Sequence, residues 1–246
     1  MRETLAQALC SFAFSASPLL IILEMSKREP ALSSKPGREA FTDEEWDVIQ
    51  SHRTPVQVQR YLSATPYNRE KKGETLRTFR GVIKRKEAHC LEAALAAATI
   101  LEQHGYPPLL LDLESQDHLD HVIFIYRKNG LWGSVARSRD TGLHGRKAVF
   151  HHLRHLAWSY FDPYVDNTAR LVAYGVTNLY ELGAFDWRFS KGNVWEVEKH
   201  LYEIPHRPLK SSDKRHERLL ARYRKFHELH PQESPTYFAN RHQWVR

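Results

Sequence analysis

The chain has 246 residues, of which 41% are hydrophobic and 11% aromatic, so the composition excludes a disordered protein and suits one main folded core. The formal net charge of +7 permits attraction to phosphates or acidic surfaces, but it does not by itself indicate nucleic-acid binding. The two cysteines exclude a disulfide framework, and we expect a reducing compartment.

An apolar, uncharged segment, LAQALCSFAFSASPLLIIL, lies near the start of the chain and resembles a signal or membrane anchor. Only Arg2 and Glu3 precede it as charges, which is a poor match to the basic start of a signal peptide. From Met25 onward the sequence is that of an ordinary soluble protein. We therefore expect translation to start at Met25 and a cytoplasmic protein without membrane contact, with an exported or anchored protein as the alternative. Residues 1–40 are expected to be a leader, mis-assigned or disordered.

Residues 41–65 are expected to form a helical lead-in. Thr42 and Glu45 make a capping-box pattern that predicts a helix through TDEEWDVIQSH. Pro55 lies in the first turn of a second predicted helix, TPVQVQRYLSA. The polar, basic segment TPYNREKKGETLRTFRGVIKRKEA that follows is expected to be loop and an approach strand.

Residues 66–205 are expected to form the core. KEAHCLEAALAAATILEQHG predicts a helix that begins near Cys90 and ends at Gly105. The short apolar run PPLLLDLES predicts a buried strand. HVIFIYRKNGLWGSVARS then predicts two strands joined at Asn129-Gly130, the strongest short hairpin signal. The predicted order is helix, strand, strand, strand.

Beyond the hairpin, RKAVFHHLRHLAWSYF predicts a helix ending before Asp162, and ARLVAYGVTNLYEL predicts a further strand and turn. Residues 206–246 are expected to be a basic helical extension. Its segment DKRHERLLARYRKFHELH has one apolar stripe, which predicts an amphipathic helix docked on the core: Leu219, Leu220, Tyr223 and Phe226.

Cys90 is the residue best placed for chemistry. Unpaired backbone N–H groups and the helix dipole favour a thiolate at a helix start. His121 begins a predicted strand, where an imidazole can accept the thiol proton. The alternative is structural, because Cys90 is in helical register with Ala94, Ala98 and Leu101 and suits a buried stripe.

The hairpin register supplies a candidate for the group that orients His121. If Lys128 faces Leu131, then His121 falls opposite Ser138, and Asp140 lies on the same face. Asp140 is therefore the predicted third member of a Cys-His-Asp set. Its alternative role is to cap the TGLHG turn.

Three segments, AHCLEAAL, DHVIFIY and GLWGSVARSRD, resemble the motif blocks of the transglutaminase-like superfamily of papain-type cysteine enzymes, over roughly residues 66–165. Among its members the chain resembles bacterial proteins known only as transglutaminase-like. The resemblance implies an α+β fold, a cysteine-protease or transglutaminase-like core with an N-terminal cysteine helix packed on an antiparallel sheet, plus helical extensions.

In that superfamily the aspartate usually falls where this chain has Ala136. Asp140, Ser138 and Asp162 of FDPY therefore remain open as the third residue, as does an incomplete triad. Zinc is a weaker alternative: His118-x-x-His121 with His89 and Cys90 lacks a second cysteine pair or an HExxH pattern. No cofactor or metal is expected.

The function expected from these residues is a thiol-dependent hydrolase or acyl transferase acting on an amide or acyl bond. Cys90 would attack the carbonyl, His121 would carry the proton and Asp140 would hold His121. The partner would be a peptide, a protein or a small amide. The alternatives are a non-catalytic binding module on the same fold and a basic nucleic-acid-associated protein using the C-terminal helix.

Overall fold

The computed structural model describes residues 35–233, so most of the expected leader, residues 1–34, lies outside the described residues. Within them the fold is α+β, with seven α-helices and five strands. In chain order these are α1 (Asp43–Ser51), α2 (Pro55–Ala64), α3 (Phe79–Arg85), α4 (Cys90–Glu102), β1 (Leu109–Ser115), β2 (His121–Lys128), β3 (Leu131–Val135), α5 (Leu153–Phe161), β4 (Leu171–Asn178), α6 (Trp195–Glu203), β5 (His206–Pro208) and α7 (Asp213–Leu229).

The strands form one antiparallel sheet in the order β3-β2-β1-β4-β5. Because side chains alternate along a strand, each face of the sheet carries its own apolar cluster. Leu110, Val122 and Phe124 belong to the cluster that includes α4, whereas Ile123 belongs to the cluster that includes α5. The α+β class expected from the sequence is confirmed.

Helix α4 is buried on all sides from Leu91 to Glu102. Its alanines leave room for neighbouring elements to approach closely, and α4 packs against β2, α2 and α3. This packing holds the first residue of the helix, Cys90, at the end of the sheet where β2 begins.

Several predicted elements are confirmed with their local causes. Thr42 and Glu45 form the capping box of α1. The hairpin between β2 and β3 turns at Asn129 and Gly130, which both have positive φ (51° and 78°), as a tight two-residue turn requires. Lys128 faces Leu131 in the ladder, as expected.

The segment expected to be loop and approach strand instead contains helix α3. Thr78 caps it by accepting a hydrogen bond from the Gly81 N–H at 3.3 Å. Phe79, Val82 and Ile83 follow helical spacing and are buried against the core. The basic residues around this short stripe obscured it in the sequence.

The predicted pairing of His121 with Ser138 is wrong. The ladder between β2 and β3 ends at Phe124 and Val135. The next residue, Ala136, is bound at both its backbone N–H and its C=O by the Gln59 side chain of α2, at 2.9 Å each. The chain therefore leaves the sheet before Ser138.

The described part of the extension, residues 206–233, contains α7, which is docked on the core as an amphipathic helix; residues 234–246 lie outside the described residues. Leu219 of α7 is buried in the same apolar cluster as α5, and Arg215 forms an ion pair with Asp162 at 2.6 Å. Among residues 35–233, no helix combines the length and apolar character needed to cross a membrane.

Candidate functional site

Cys90 lies in the wall of a cleft of about 1130 Å³, at the first position of α4. It is partly exposed and not disulfide-bonded. The first N–H groups of an α-helix have no partner within the helix, so the backbone around Cys90 favours negative charge on its sulfur. The thiol therefore lies where a reagent can reach it and where a thiolate is stabilised.

His121 lines the same cleft as Cys90 and is close enough to its thiol to lower the thiol pKa. It is the first residue of β2 and is only 3% exposed. Its Nε2 donates to the backbone carbonyl of Leu143 at 2.9 Å, so Nδ1 is the ring nitrogen left for the sulfur. An imidazole with Nε2 protonated and Nδ1 facing a thiol can accept the thiol proton.

A second imidazole, His89, also lies close to the Cys90 sulfur and contributes to the lowered thiol pKa. His89 precedes α4, and its Nε2 donates to the Thr75 carbonyl at 2.8 Å. Glu92, which is fully buried one turn into the helix, accepts from the His89 backbone N–H at 3.1 Å. The Cys90 sulfur is therefore flanked by two oriented histidines.

The pKa of the Cys90 thiol is lowered. Burial opposes this shift, but it is outweighed by the hydrogen bonds from His121 and His89 and by the positive charge that each ring can carry. The pKa of His89 is raised, because the thiolate and Glu92 together outweigh the burial of the ring. The arrangement favours a thiolate beside an imidazolium.

Glu92 holds in place the loop that covers the start of α4. Its Oε1 accepts from the Thr75 hydroxyl at 2.9 Å and from the Arg77 backbone N–H at 3.0 Å. Its Oε2 accepts from the Asn68 side chain at 3.0 Å. This carboxylate is satisfied by several donors and stabilises the position of His89 rather than facing the cleft.

The loop that presents the Leu143 carbonyl is fixed by buried Arg146. Its Nη2 donates to the Gly142 carbonyl at 2.8 Å, and its Nε donates to the Ser159 hydroxyl at 3.1 Å. Gly145 in this loop has no room for a side chain, because a Cβ there would lie 2.1 Å from Gln59 Oε1. The acceptor for His121 is therefore a backbone group on a rigid segment.

The structure separates the three candidates for the third residue. Asp140 and Ser138 line the same cleft as Cys90, whereas the Asp162 carboxylate is paired with Arg215 of α7. The hydrogen bond predicted from Asp140 to His121 is made instead by the Leu143 carbonyl at Nε2. The catalytic role of Asp140 stays a prediction.

Sequence reasoning missed two interactions of the site. It considered His89 only as a zinc ligand, although Glu92 follows His89 at the capping-box spacing, which is a detectable signal. The Leu143 carbonyl had none, because any residue carries this group and only the fold of the loop places it. Within residues 35–233, no group of three or more His, Cys, Asp or Glu side chains is placed to hold a metal ion.

Comparison with protein-family models gives no match, and comparison with curated proteins gives none either. The fold and the site define the chain as an α+β protein. A cysteine at the start of a helix and a histidine at the start of a strand line one cleft.

Proposed function

We propose that this protein is a thiol-dependent hydrolase or acyl transferase of the transglutaminase-like type, acting on an amide or acyl bond. The observation that carries the proposal is the position of Cys90 and His121 in the wall of one open cleft, where His121 helps to lower the pKa of the thiol. The cysteine helix packed against an antiparallel sheet supports it, since the resemblance implied that arrangement. A peptide, a protein or a small amide is the proposed substrate.

In this mechanism the Cys90 thiolate attacks the substrate carbonyl carbon, and a C–S bond forms. The backbone N–H of Cys90, at the first helical position, is placed to donate to the developing oxyanion. The His121 imidazolium then gives its proton from Nδ1 to the leaving amine or alcohol as the C–N or C–O bond breaks. Water or an acceptor amine attacks the resulting thioester, loses a proton to His121 and releases the Cys90 thiolate.

The Leu143 carbonyl holds the imidazole in the tautomer that this cycle needs. A carbonyl dipole also stabilises the imidazolium, although less than a carboxylate would. Asp140, in the same cleft, is the proposed source of additional negative charge for His121. A reducing compartment such as the cytoplasm would keep Cys90 as a thiol.

Trapping of an acyl-enzyme tests the proposal. Full-length protein mixed with p-nitrophenyl acetate is expected to release p-nitrophenolate in a burst and to gain one acetyl group on Cys90, seen by intact mass and peptide mapping. Hydroxylamine should remove the acetyl group, as expected of a thioester. Cys90→Ala should abolish the burst, and an unchanged burst in this variant would contradict the proposal.

A non-catalytic binding module on the same fold is the second candidate. One observation favours it: His121 Nε2 is held by a neutral carbonyl where a triad would use a carboxylate. A module of this kind would bind a peptide in the cleft without forming an acyl-enzyme. Cys90 acetylated no faster than a free thiol, together with peptide binding, would favour the module.

A further inference from the structure

The cleft around Cys90 is acidic, although the chain as a whole is basic. Among the described residues that line it, eight are Asp or Glu and two are Arg. Carboxylates outnumber the positive side chains in this lining, and a cleft with an excess of one sign of charge concentrates ligands of the opposite sign. The net charge of +7 therefore lies elsewhere on the chain, and the cleft disfavours anions.

Asp112 is an independent sign that a donor group is missing from this cleft. It lies on β1 in the cleft wall and is only 3% exposed. Its Oδ2 accepts from His206 Nε2 at 2.9 Å, whereas its Oδ1 has no hydrogen-bond partner among the described residues. A buried carboxylate oxygen left without a donor is unfavourable, and a ligand N–H can supply the missing hydrogen bond.

Two of the acidic residues share the wall of this cleft with Cys90: Asp112 on β1 and Glu198 on α6. Exposed aromatic rings also line the cleft on α6: Trp195 and Tyr202 are 41% and 64% exposed. Aromatic faces next to carboxylates are a favourable environment for an organic cation.

We propose that the cleft selects substrates carrying an ammonium or guanidinium group, such as a basic peptide, and that Asp112 and Glu198 bind this group beside Cys90. The proposal rests on the proposed function, because it specifies the substrate class of the same thiol site. The cation donates an N–H to Asp112 Oδ1 on β1. Glu198 on α6 adds electrostatic attraction. The bond to be broken then lies near the basic group.

Charge-matched thiol reagents test this selectivity without knowledge of the substrate. Cationic aminoethyl methanethiosulfonate and anionic sulfonatoethyl methanethiosulfonate are each reacted with the full chain carrying Cys10→Ser. In both reactions the thiolate attacks the sulfenyl sulfur, a disulfide forms and methanesulfinate leaves. The cationic-to-anionic rate ratio, divided by the same ratio for free mercaptoethanol, is expected to be about 10 or more at low salt.

Asp112→Asn and Glu198→Gln should each lower this ratio about threefold, and added salt should lower it in the parent. Asp47→Asn removes the same charge from an exposed position on α1 and should leave the ratio unchanged. Glu198 lies on a partly exposed helix surface, so Glu198→Gln decides the matter if Asp112→Asn does not fold.

A normalised ratio near one overturns the proposal and leaves the thiol site standing. A high ratio that neither variant lowers also overturns it, because the selectivity would then come from elsewhere. Cys90 that reacts with neither reagent in the folded protein contradicts the proposed function itself, and the proposed selectivity falls with it.

Discussion

The two ends of helix α4 both bury charged groups, but they treat them differently. At the C-terminal end, Glu102 and Arg188 form a two-point ion pair at 2.6 and 2.9 Å, and both side chains are at most 9% exposed. At the N-terminal end, the Cys90 sulfur meets two histidines and an open cleft. One end is closed and internally neutralised, whereas the other is accessible.

This contrast distinguishes a structural role at one end of α4 from the reactivity that we propose for the other end. The pair at Glu102 fastens the helix to the segment around Arg188, whose guanidinium also stacks 3.9 Å from the Trp187 ring. The groups at Cys90 hold a proton that can move between sulfur and imidazole. Burial of a charged group alone therefore does not identify the candidate site. The groups that identify it are buried and also face the cleft.

The largest effect is expected at the closed end. Arg188→Met leaves Glu102 buried without its partner, so the free energy of unfolding should fall by about 3–5 kcal/mol. Urea denaturation measures the change, with Arg60→Met on the exposed surface of α2 as the matched control. The rate of Cys90 alkylation in the folded variant should stay within about twofold of the parent. The double variant with Glu102→Gln should recover stability, and a double variant no more stable than Arg188→Met would contradict this role for the pair.

The next effect is expected at the reactive end. His121→Ala removes the imidazole that helps to lower the thiol pKa, so that pKa should rise toward its ordinary value. Alkylation of Cys90 by iodoacetamide at pH 6 should slow about 100-fold, and the two rates should converge at high pH, where both thiols are ionised. His118→Ala, exposed in the same cleft, is the control and should change the rate little. Identical pH profiles for parent and His121→Ala would remove His121 from the site.

How much of the molecule the sequence could predict differs between these two ends. The start of α4 at Cys90 and the strand opening at His121 followed from local signals, namely helix periodicity and the Asn129-Gly130 turn. Glu102 and Arg188 lie far apart in the chain, and no local sequence pattern predicts that they form an ion pair. The sequence therefore predicted that Cys90 and His121 lie together, whereas it missed the ion pair that anchors the other end of the same helix.

The third position shows why register alone was insufficient. Lys128 does face Leu131, but extrapolation to Ser138 assumed that β3 continues past Val135. Gln59, from a helix much earlier in the chain, takes the hydrogen bonds of Ala136 that a continuing strand would have used. A long-range contact ended the strand, and sequence periodicity cannot reveal such a contact.

A smaller effect is expected at the acidic wall of the cleft. Burial raises the pKa of Asp120 to about 6, although the Ser115 N–H opposes the shift, and the nearby carboxylates Asp112 and Glu114 add to the rise. A raised carboxyl pKa favours folding at low pH, and this contribution is lost as the pH rises through about 6. Asp120→Asn keeps an oxygen for the Ser115 N–H and removes the charge.

The Asp120→Asn variant should therefore be more stable than the parent near pH 7.5 by about 1 kcal/mol, a figure discounted because the group is only half buried. The difference should vanish near pH 4. Thermal unfolding across this range measures it, and Asp47→Asn should show no such pH dependence. Equal stability of Asp120→Asn and the parent at both pH values would contradict a shared acidic environment in the cleft.

The smallest effect is expected at Asp140. The sequence predicts that Asp140 orients His121, whereas the structure gives the Nε2 hydrogen bond of His121 to the Leu143 carbonyl. The Asp140 carboxylate lines the same cleft. Asp140→Asn should therefore slow Cys90 alkylation at pH 6 only about twofold. Ser138→Ala should slow it less. Iodoacetamide labelling of Cys90 in both variants measures the change. A loss in Asp140→Asn as large as that in His121→Ala would make Asp140 a full third member of the site, and no change at all would leave Cys90 and His121 as a dyad oriented by the backbone.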